Sequence, residues 1–569
     1  MKKYLELLYN FDLTRLQDIL GHDVVENLNE WDISSEEKLS KKKMIDMINC
    51  LYGSSLLKDK CIIKSFLYCM SEQQLCVFCK QNYPTLVKNS QEEICKEIAG
   101  NWGNNRESNA LLKLLEVEEN IFETEKGDEI TTVTKIVAAD RFYELLDYQF
   151  YIKQQALHIL NSEMMLGRFL IHMPTGTGKT KTAMHIITHY INFSLKKQGL
   201  VIWLAHTKEL LQQAYDTFEK TWNHLGDGDI SAYRIWSDNT IENVDKPLSG
   251  IMFCGIQKLM SIANSNKVLF DKLVLDCRLL VFDEAHKAAA SETRRIVEAF
   301  MTKKETMENR FLMGLTATPG RTTDYSSDNE RFAQMFENRI ISMDAAIISQ
   351  MNMGRQESIN TNIEKNIIRY FQNRRILSKM IKEPIEYEKS FSVEELKILN
   401  RNNDGDDYTK KQLEIFARNK NRNREIMKKL RVLYSEHKPT IVFACSVLHA
   451  KILSATLTLE EIPNCIVSGE MPAYARKKAI DAFKDGDNPC NIIINYDVLT
   501  TGFDSTNIQC VFITRPTKSI VLYSQMLGRG LRGPMMGGQE ECLLVDIRDN
   551  LNSFDNEKAF SYFDSYWNK

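Results

Sequence analysis

Met173-Pro174-Thr175-Gly176-Thr177-Gly178-Lys179-Thr180 constrains this chain more than any other stretch. The apolar run Arg168-Phe169-Leu170-Ile171-His172 before it reads as a buried strand. Lys181 to Phe193 after it carries Ala183, Ile186, Ile187 and Tyr190 at helical spacing. Strand, glycine-rich turn and helix form the context in which such a loop wraps a phosphate. Backbone N–H groups face the β-phosphate, a lysine neutralises the β/γ oxygens, and a hydroxyl holds Mg²⁺. Pro174, Thr175, Gly176, Thr177, Gly178, Lys179 and Thr180 are therefore the expected ATP contacts, with Thr180 also on the metal. The strict pattern has a glycine where Met173 stands.

A second motif follows about a hundred residues later, Asp283-Glu284-Ala285-His286. The run Arg278-Leu279-Leu280-Val281-Phe282 reads as a core strand that delivers both acids to its carboxyl end. Ligands bind at that end of an open parallel sheet. Asp283 is expected on Mg²⁺, and Glu284 is expected to polarise the attacking water as general base. An acidic turn closing a strand is the plain alternative, and the phosphate loop upstream outweighs it.

With these motifs the chain resembles a superfamily 2 DExH helicase, of the bacterial branch that includes restriction-type, XPB-like and RadD-like enzymes. The resemblance covers about residues 140–569, with the motifs in the family's order. Leu146-Asp147-Tyr148-Gln149 is similar to the upstream glutamine motif, although Gln154 aligns as an alternative. Ala205 to Leu210 resembles motif Ia and Gly314 to Pro319 motif III. Val442 to Ser446 resembles motif IV, Thr500 to Asp504 motif V, and Gln525 to Arg532 motif VI. The resemblance implies that Gln149 reads adenine and that Asp504 also serves the nucleotide. It implies that His206, Thr207, Lys208, Thr316 and Thr501 meet nucleic acid. Gln525, Arg529 and Arg532 would complete catalysis beside Lys179 and Glu284. A guanidinium fork suits the charge that spreads over a transferring phosphoryl group. Arg529 and Arg532, three apart on a predicted helix, would share one face.

The expected fold is α/β, with two tandem RecA-like parallel-sheet P-loop domains preceded by an all-helical accessory domain. At 569 residues the chain is too long for one core. Leu5, Leu8, Leu16, Ile19 and Leu20, then Met44, Ile45, Met47 and Ile48, recur at helical spacing, so residues 1–138 read as helical. Alternating strand and helix patterns predict one RecA-like domain over 139–345 and a second over 433–569. The polar segment 346–432 reads as a largely helical linker. Its basic stretch from Arg418 to Arg431 reads as a solvated helix face, with a phosphate-contacting track as the alternative.

Composition agrees with such a machine: 43% hydrophobic and 26% charged residues are ordinary for a globular protein. A net charge of −3 does not argue against a local basic groove. No apolar run approaches the roughly twenty residues of a membrane span. Met1-Lys2-Lys3 is followed by Glu6 and Asp12, so no signal segment is expected and the location expected is cytoplasmic. The thirteen cysteines then read as free thiols. Cys69, Cys76, Cys79 and Cys95 hold one Cys-x-x-Cys in a helical pattern and read as core rather than as a zinc site. The expected ligands are ATP and Mg²⁺, and the expected partner is nucleic acid, DNA favoured over RNA. A protein partner could dock on the helical module. A nucleic-acid-sensing ATPase that signals through that module is the competing class. A dead scaffold is disfavoured because Lys179, Asp283, Glu284, Arg529 and Arg532 are all present.

Overall fold

The computed structural model describes residues 3–549 except 31–38, 118–120, 123–132, 137–142, 163–165, 237–238, 240, 242–246, 290, 303–308, 321–325, 344–366, 402–406, 487, 501–502 and 504. Among these residues two α/β sheets form. The first contains β1 (Val133–Ile136), β2 (Leu166–His172), β3 (Leu200–Ala205), β4 (Ile230–Ile235), β5 (Gly250–Gly255), β6 (Cys277–Asp283), β7 (Arg310–Thr316) and β8 (Ile340–Ile341). Their order is β1-β4-β5-β3-β6-β7-β2-β8, parallel throughout except for β1 against β4. All six positions of β3 are buried, because helices cover both faces of a central parallel strand. The register pairs His172 with Thr316, and Leu315 with Asp283. The strand ends that carry the phosphate loop, motif III and the acid pair therefore emerge side by side.

The second sheet contains β9 (Lys379–Ile385), β10 (Thr440–Phe443), β11 (Cys465–Ser468), β12 (Ile492–Tyr496), β13 (Cys510–Ile513) and β14 (Glu541–Ile547). Its order is β11-β12-β10-β13-β14-β9. β9 departs from the expectation of a helical segment over 346–432. It pairs with β14 along its whole length as an edge strand, where the missing N–H of Pro384 is tolerated. None of its residues is fully buried, so it lacked the apolar signature of a core strand.

The basic stretch is corrected at Arg422. The helix Lys420–Ser435 buries Ile426, Met427, Leu430 and Leu433, and Arg422 with them. The Arg422 guanidinium is fully enclosed and pairs with Asp549 at 2.5 Å. Lys429 pairs with Glu383, Arg431 with Glu460 and Lys428 with Glu425, while Arg418 and Arg424 are exposed. One side of this helix is core and takes Arg422 with it, while Lys420, Arg424, Lys428 and Arg431, with Arg418 just before the helix, line the expected solvated face.

The N-terminal module is helical from Lys3 to Leu114, but β1 falls inside the 1–138 segment expected to be all-helical and belongs to the first sheet, paired with β4. The module precedes the first sheet in sequence but packs on the second. The helix Lys41–Tyr52 lies against Val447–Leu459, and Met47, Ile48 and Leu51 share one apolar cluster with Leu453, Leu457 and Ile466. Lys43 Nζ donates to the Leu459 carbonyl at 3.1 Å, and the Ser54 and Tyr474 hydroxyls lie 3.3 Å apart. Lys451 sits over the Tyr52 ring at 5.4 Å. Val447–Leu459 is apolar nearly all round because it is covered from both sides.

Cys465 and Cys490 are joined in a disulfide, contrary to the expectation of free thiols throughout; the other eleven cysteines are free. Cys79 and Cys95 lie in the module's core. No helix among the described residues is long and apolar enough to cross a membrane.

Candidate nucleotide site between the two sheets

The phosphate loop leaves β2 with Met173 buried and its N–H bonded to the Thr316 carbonyl at 3.1 Å. Met173 is thus a core residue, which explains why no glycine is needed there. Two glycines are needed further on. Gly176 and Gly178 have φ of 87° and 80°, where a side chain is strained. A Cβ on Gly178 would also lie 2.4 Å from Gln149 Nε2. The Thr177 hydroxyl donates to the Pro174 carbonyl at 2.7 Å and closes the turn. Lys179 and Thr180 then open the helix Lys179–His189, whose N-terminal N–H groups favour an anion. A backbone turned this way leaves a cradle that fits phosphate.

Lys179 Nζ donates to Glu284 Oε1 at 3.3 Å. Asp283 is buried at the end of β6, and burial pushes its carboxyl well above the usual range against the pull of Lys179. A buried carboxyl so short of compensating charge suits a divalent cation. Glu284 is turned out of the strand at φ 53°, a left-handed conformation that bulky residues adopt at a cost. Burial would raise its pKa too, but the charges of Lys179, Lys287 and Arg529 outweigh burial and hold it low. His286 is kept neutral by burial, with its pKa lowered to about 4. Its Nδ1 lies 3.1 Å from Thr316 Oγ1, and that hydroxyl donates to the Thr318 carbonyl at 2.7 Å. Nδ1 therefore carries the proton, which leaves Nε2 to accept from the Gln525 amide at 3.3 Å.

Gln525 belongs to the second sheet's helix Ile520–Leu527, so this bond crosses between the sheets. The helix ends before Arg529 and Arg532, contrary to the expectation that both share a helix face. Gly528, Gly530 and Gly533 surround them, and glycine disfavours helix. Instead a turn is pressed onto the phosphate loop. A Cβ on Gly528 would meet Thr175 Cγ2 at 2.6 Å, and one on Gly176 would lie 3.6 Å from Arg532 Cγ. Arg529 donates to the carbonyls of Phe503 and Gln525, and its charge reaches Glu284. Arg532 forms a backbone bridge with Leu377.

Other expected site residues fall differently. Gln149 is buried, and its amide is spent within the chain: Nε2 donates to the Thr177 carbonyl at 2.9 Å and Oε1 accepts from Leu146 N–H at 3.0 Å. These two bonds clamp the loop. Gln154 is exposed. Thr316 was expected on nucleic acid, but it is fully buried and its hydroxyl is held by His286 and Thr318. Thr207 caps the helix Lys208–Leu225 through Leu210 N–H at 3.3 Å. Lys208 is half-buried at that helix's first turn, and His206 precedes the cap. Thr501 and Asp504 lie outside the described residues. Sequence reasoning missed the segment Ile367–Leu377. Arg374 pairs with Asp147 at 2.7 Å, Phe371 meets Tyr148 edge-on at 4.9 Å, and Leu377 Cδ2 lies against Gly176.

A phosphate cradle on one sheet and an arginine turn on another are useful only together. That division defines the two-domain P-loop motors. Comparison with known proteins narrows the class. Residues 142–321 match the family described as type III restriction enzyme, res subunit, and residues 421–533 match the helicase conserved C-terminal domain. The chain is 24% identical over 411 residues to the putative ATP-dependent helicase IRC3 of Saccharomyces cerevisiae, covering 71% of this chain and 51% of that protein. It is 26% identical over 385 residues to the putative mitochondrial ATP-dependent helicase irc3 of Schizosaccharomyces pombe, covering 68% and 54%. It is 24% identical to the type I restriction enzyme EcoKI endonuclease subunit of Escherichia coli, covering 67% and 33%. The chain thus spans about half the length of the yeast relatives and a third of the bacterial one. It belongs to the superfamily 2 helicases, in their restriction-type branch.

Proposed function

We propose that this chain is an ATP-dependent nucleic-acid helicase or translocase that couples ATP hydrolysis to movement along DNA, in restriction, repair or phage defence. The observation that carries the reading is the composite site, in which the Gln525–Arg532 turn of one sheet closes on the Thr175–Lys179 loop of the other. The loop N–H groups and Lys179 bind the phosphates. Thr180 and Asp283 would hold Mg²⁺, which supplies charge neutralisation at the phosphates when bound.

A γ-phosphate arriving at Lys179 competes with Glu284 for the ammonium. Glu284 then loses the cation that weakens it as a base and can accept the proton of the attacking water. The water oxygen bonds to the γ-phosphorus, the bridging β–γ bond breaks, and ADP and phosphate leave. Arg529 and Arg532 stabilise the charge spread over the transferring group. Because they come from the second domain, ATP holds the domains together and hydrolysis loosens them. Lys208 and Thr501 are proposed to grip the strand by its backbone, without reading sequence. The match to restriction enzymes makes DNA the strand proposed over RNA.

The shared core of the helical module and the second domain favours one further reading, a nucleic-acid-sensing ATPase. Any motion of that domain moves the module with it. ATPase assays across single-stranded DNA, double-stranded DNA and RNA, beside a strand-separation assay, test both. Stimulation without separation or translocation supports the sensor. Stimulation by no nucleic acid overturns the motor.

A further inference from the structure

His206 stands in a motif expected to face the strand, yet the sheet sets it beside the hydrolytic acid. β3 and β6 are neighbours with Leu204 opposite Phe282, so His206 leaves β3 at the level at which Glu284 leaves β6. Its ring meets Phe282 edge-on at 5.9 Å, and it lies within electrostatic reach of Glu284, His286 and Lys287. Its Nε2 is sealed from solvent and has no hydrogen-bond partner among the described residues. A sealed ring nitrogen without a partner costs free energy that a leucine of similar size would avoid. The Glu284 carboxylate, by contrast, has only Lys179 on Oε1 and a 3.4 Å approach from His286 on Oε2.

We infer that His206 is a positioning residue for hydrolysis, whose Nε2–H takes the place of Lys179 on the Glu284 carboxylate once phosphate has drawn Lys179 away. This rests on the proposed function and deepens it. Thr207 and Lys208 follow His206 directly, and Thr207 caps the helix behind it. A strand pulling on that turn shifts His206 relative to Glu284, a short physical route from grip to chemistry. The other groups facing the carboxylate, Lys179, His286, Lys287 and Arg529, are each anchored elsewhere or cationic and cannot replace a neutral donor.

The test compares His206→Leu, which fills the space without a donor, with His206→Gln, whose amide N–H reaches a similar position. His206→Leu should lower both basal and nucleic-acid-stimulated kcat by roughly ten- to a hundredfold, with KM for ATP within about twofold. His206→Gln should retain kcat within about threefold. Two readouts lie outside turnover: fluorescent-nucleotide affinity should be unchanged in both variants, and the melting temperature should fall in neither and rise in His206→Leu. In a Glu284→Gln background His206→Leu should cause no further loss of residual turnover, because the group it supports is gone. Full kcat in His206→Leu, equal losses in both variants, or an undiminished loss without Glu284 would each overturn the inference. The proposed function would survive those results, provided the wild type responds to nucleic acid and Lys179→Ala does not. A wild type that turns over no ATP would sink both.

Discussion

Lys179 Nζ stands 3.3 Å from Glu284 Oε1, so the loop's cation and the neighbouring acid neutralise each other until a phosphate intervenes. The pairing makes opposite predictions for the two residues. Glu284→Gln keeps the shape but cannot accept a proton, and it releases Lys179 for phosphate. Phosphate release should fall by roughly 10²–10⁴-fold while ATP affinity holds or rises. Lys179→Ala should lose both. Wild-type turnover in pure Glu284→Gln would show that another group is the base.

Gly528 has an ordinary helical φ of −55°, so a side chain there meets no backbone strain. It would meet Thr175, at 2.6 Å. Gly528→Ala should therefore wedge the motif VI turn off the phosphate loop and reproduce the effect of Arg529→Ala. Both should lower kcat by at least about tenfold, with little change in nucleotide-free oligonucleotide affinity or in melting temperature. Normal kcat in Gly528→Ala would mean that the two domains close differently around ATP.

The helical module cannot be the separable appendage its sequence position suggests. Removing residues 1–122, which leaves β1 in place, uncovers the Leu453 and Leu457 side of the second domain, which is fully buried against it. Such a fresh apolar face drives association. The 123–569 fragment should aggregate or melt well below the full chain, by light scattering and calorimetry. A monomeric fragment with the full chain's melting temperature would show that the shared core contributes little.

The elements legible in sequence were those buried on both faces. β3, Leu279–Phe282 of β6 and Ile441–Phe443 of β10 are unbroken apolar runs because helices sandwich them, and turn glycines mark the loop. β9 was illegible for the converse reason: as an exposed edge it alternates lysine and glutamate with its few apolar residues. The docking of the module left a trace in Val447–Leu459, apolar nearly all round and rich in small residues, which a helix covered on one face alone has no reason to be. The roles of Thr316 and Gln149 were hidden because a motif names a residue's neighbours in sequence. It does not show that His286 and Thr177 occupy their polar atoms. Arg529 and Arg532 were misplaced on a helix although three glycines nearby argued for a turn.

Several histidines are buried neutral, which fixes a pH dependence. Burial lowers His172 and His185 to about 3 and His206 to about 4, and it holds His449 well below the usual histidine range. Unfolded, each would titrate near its ordinary 6.5. Between those values the unfolded chain binds more protons, so stability is full above about 6.5 and falls as pH drops toward 4. The nucleotide-free melting temperature should decline from pH 7 to pH 5. His185→Gln, far from the acid pair in sequence, should flatten that slope. A melting temperature rising toward pH 5 would contradict neutral burial.

Arg422 and Asp549 form the buried pair that ties the basic helix to the end of β14. Both side chains are almost completely enclosed, and the guanidinium donates to Asp549 Oδ2 at 2.7 Å through Nε and again to the Thr514 carbonyl. Tyr387 OH donates to Asp549 Oδ1 at 2.6 Å, so the carboxylate is satisfied on both oxygens. Removing one partner leaves a charge without water or counter-charge. Asp549→Ala should cost about 3–5 kcal/mol in denaturant unfolding, more than any exposed ion pair of the same chain, such as Arg548–Glu386. Replacing both, as Arg422→Met with Asp549→Leu, removes the desolvation cost along with the attraction and should recover much of that loss. A double variant no more stable than Asp549→Ala would mean that the Tyr387 and Thr514 bonds, rather than the ion pair, hold this corner of the second domain together.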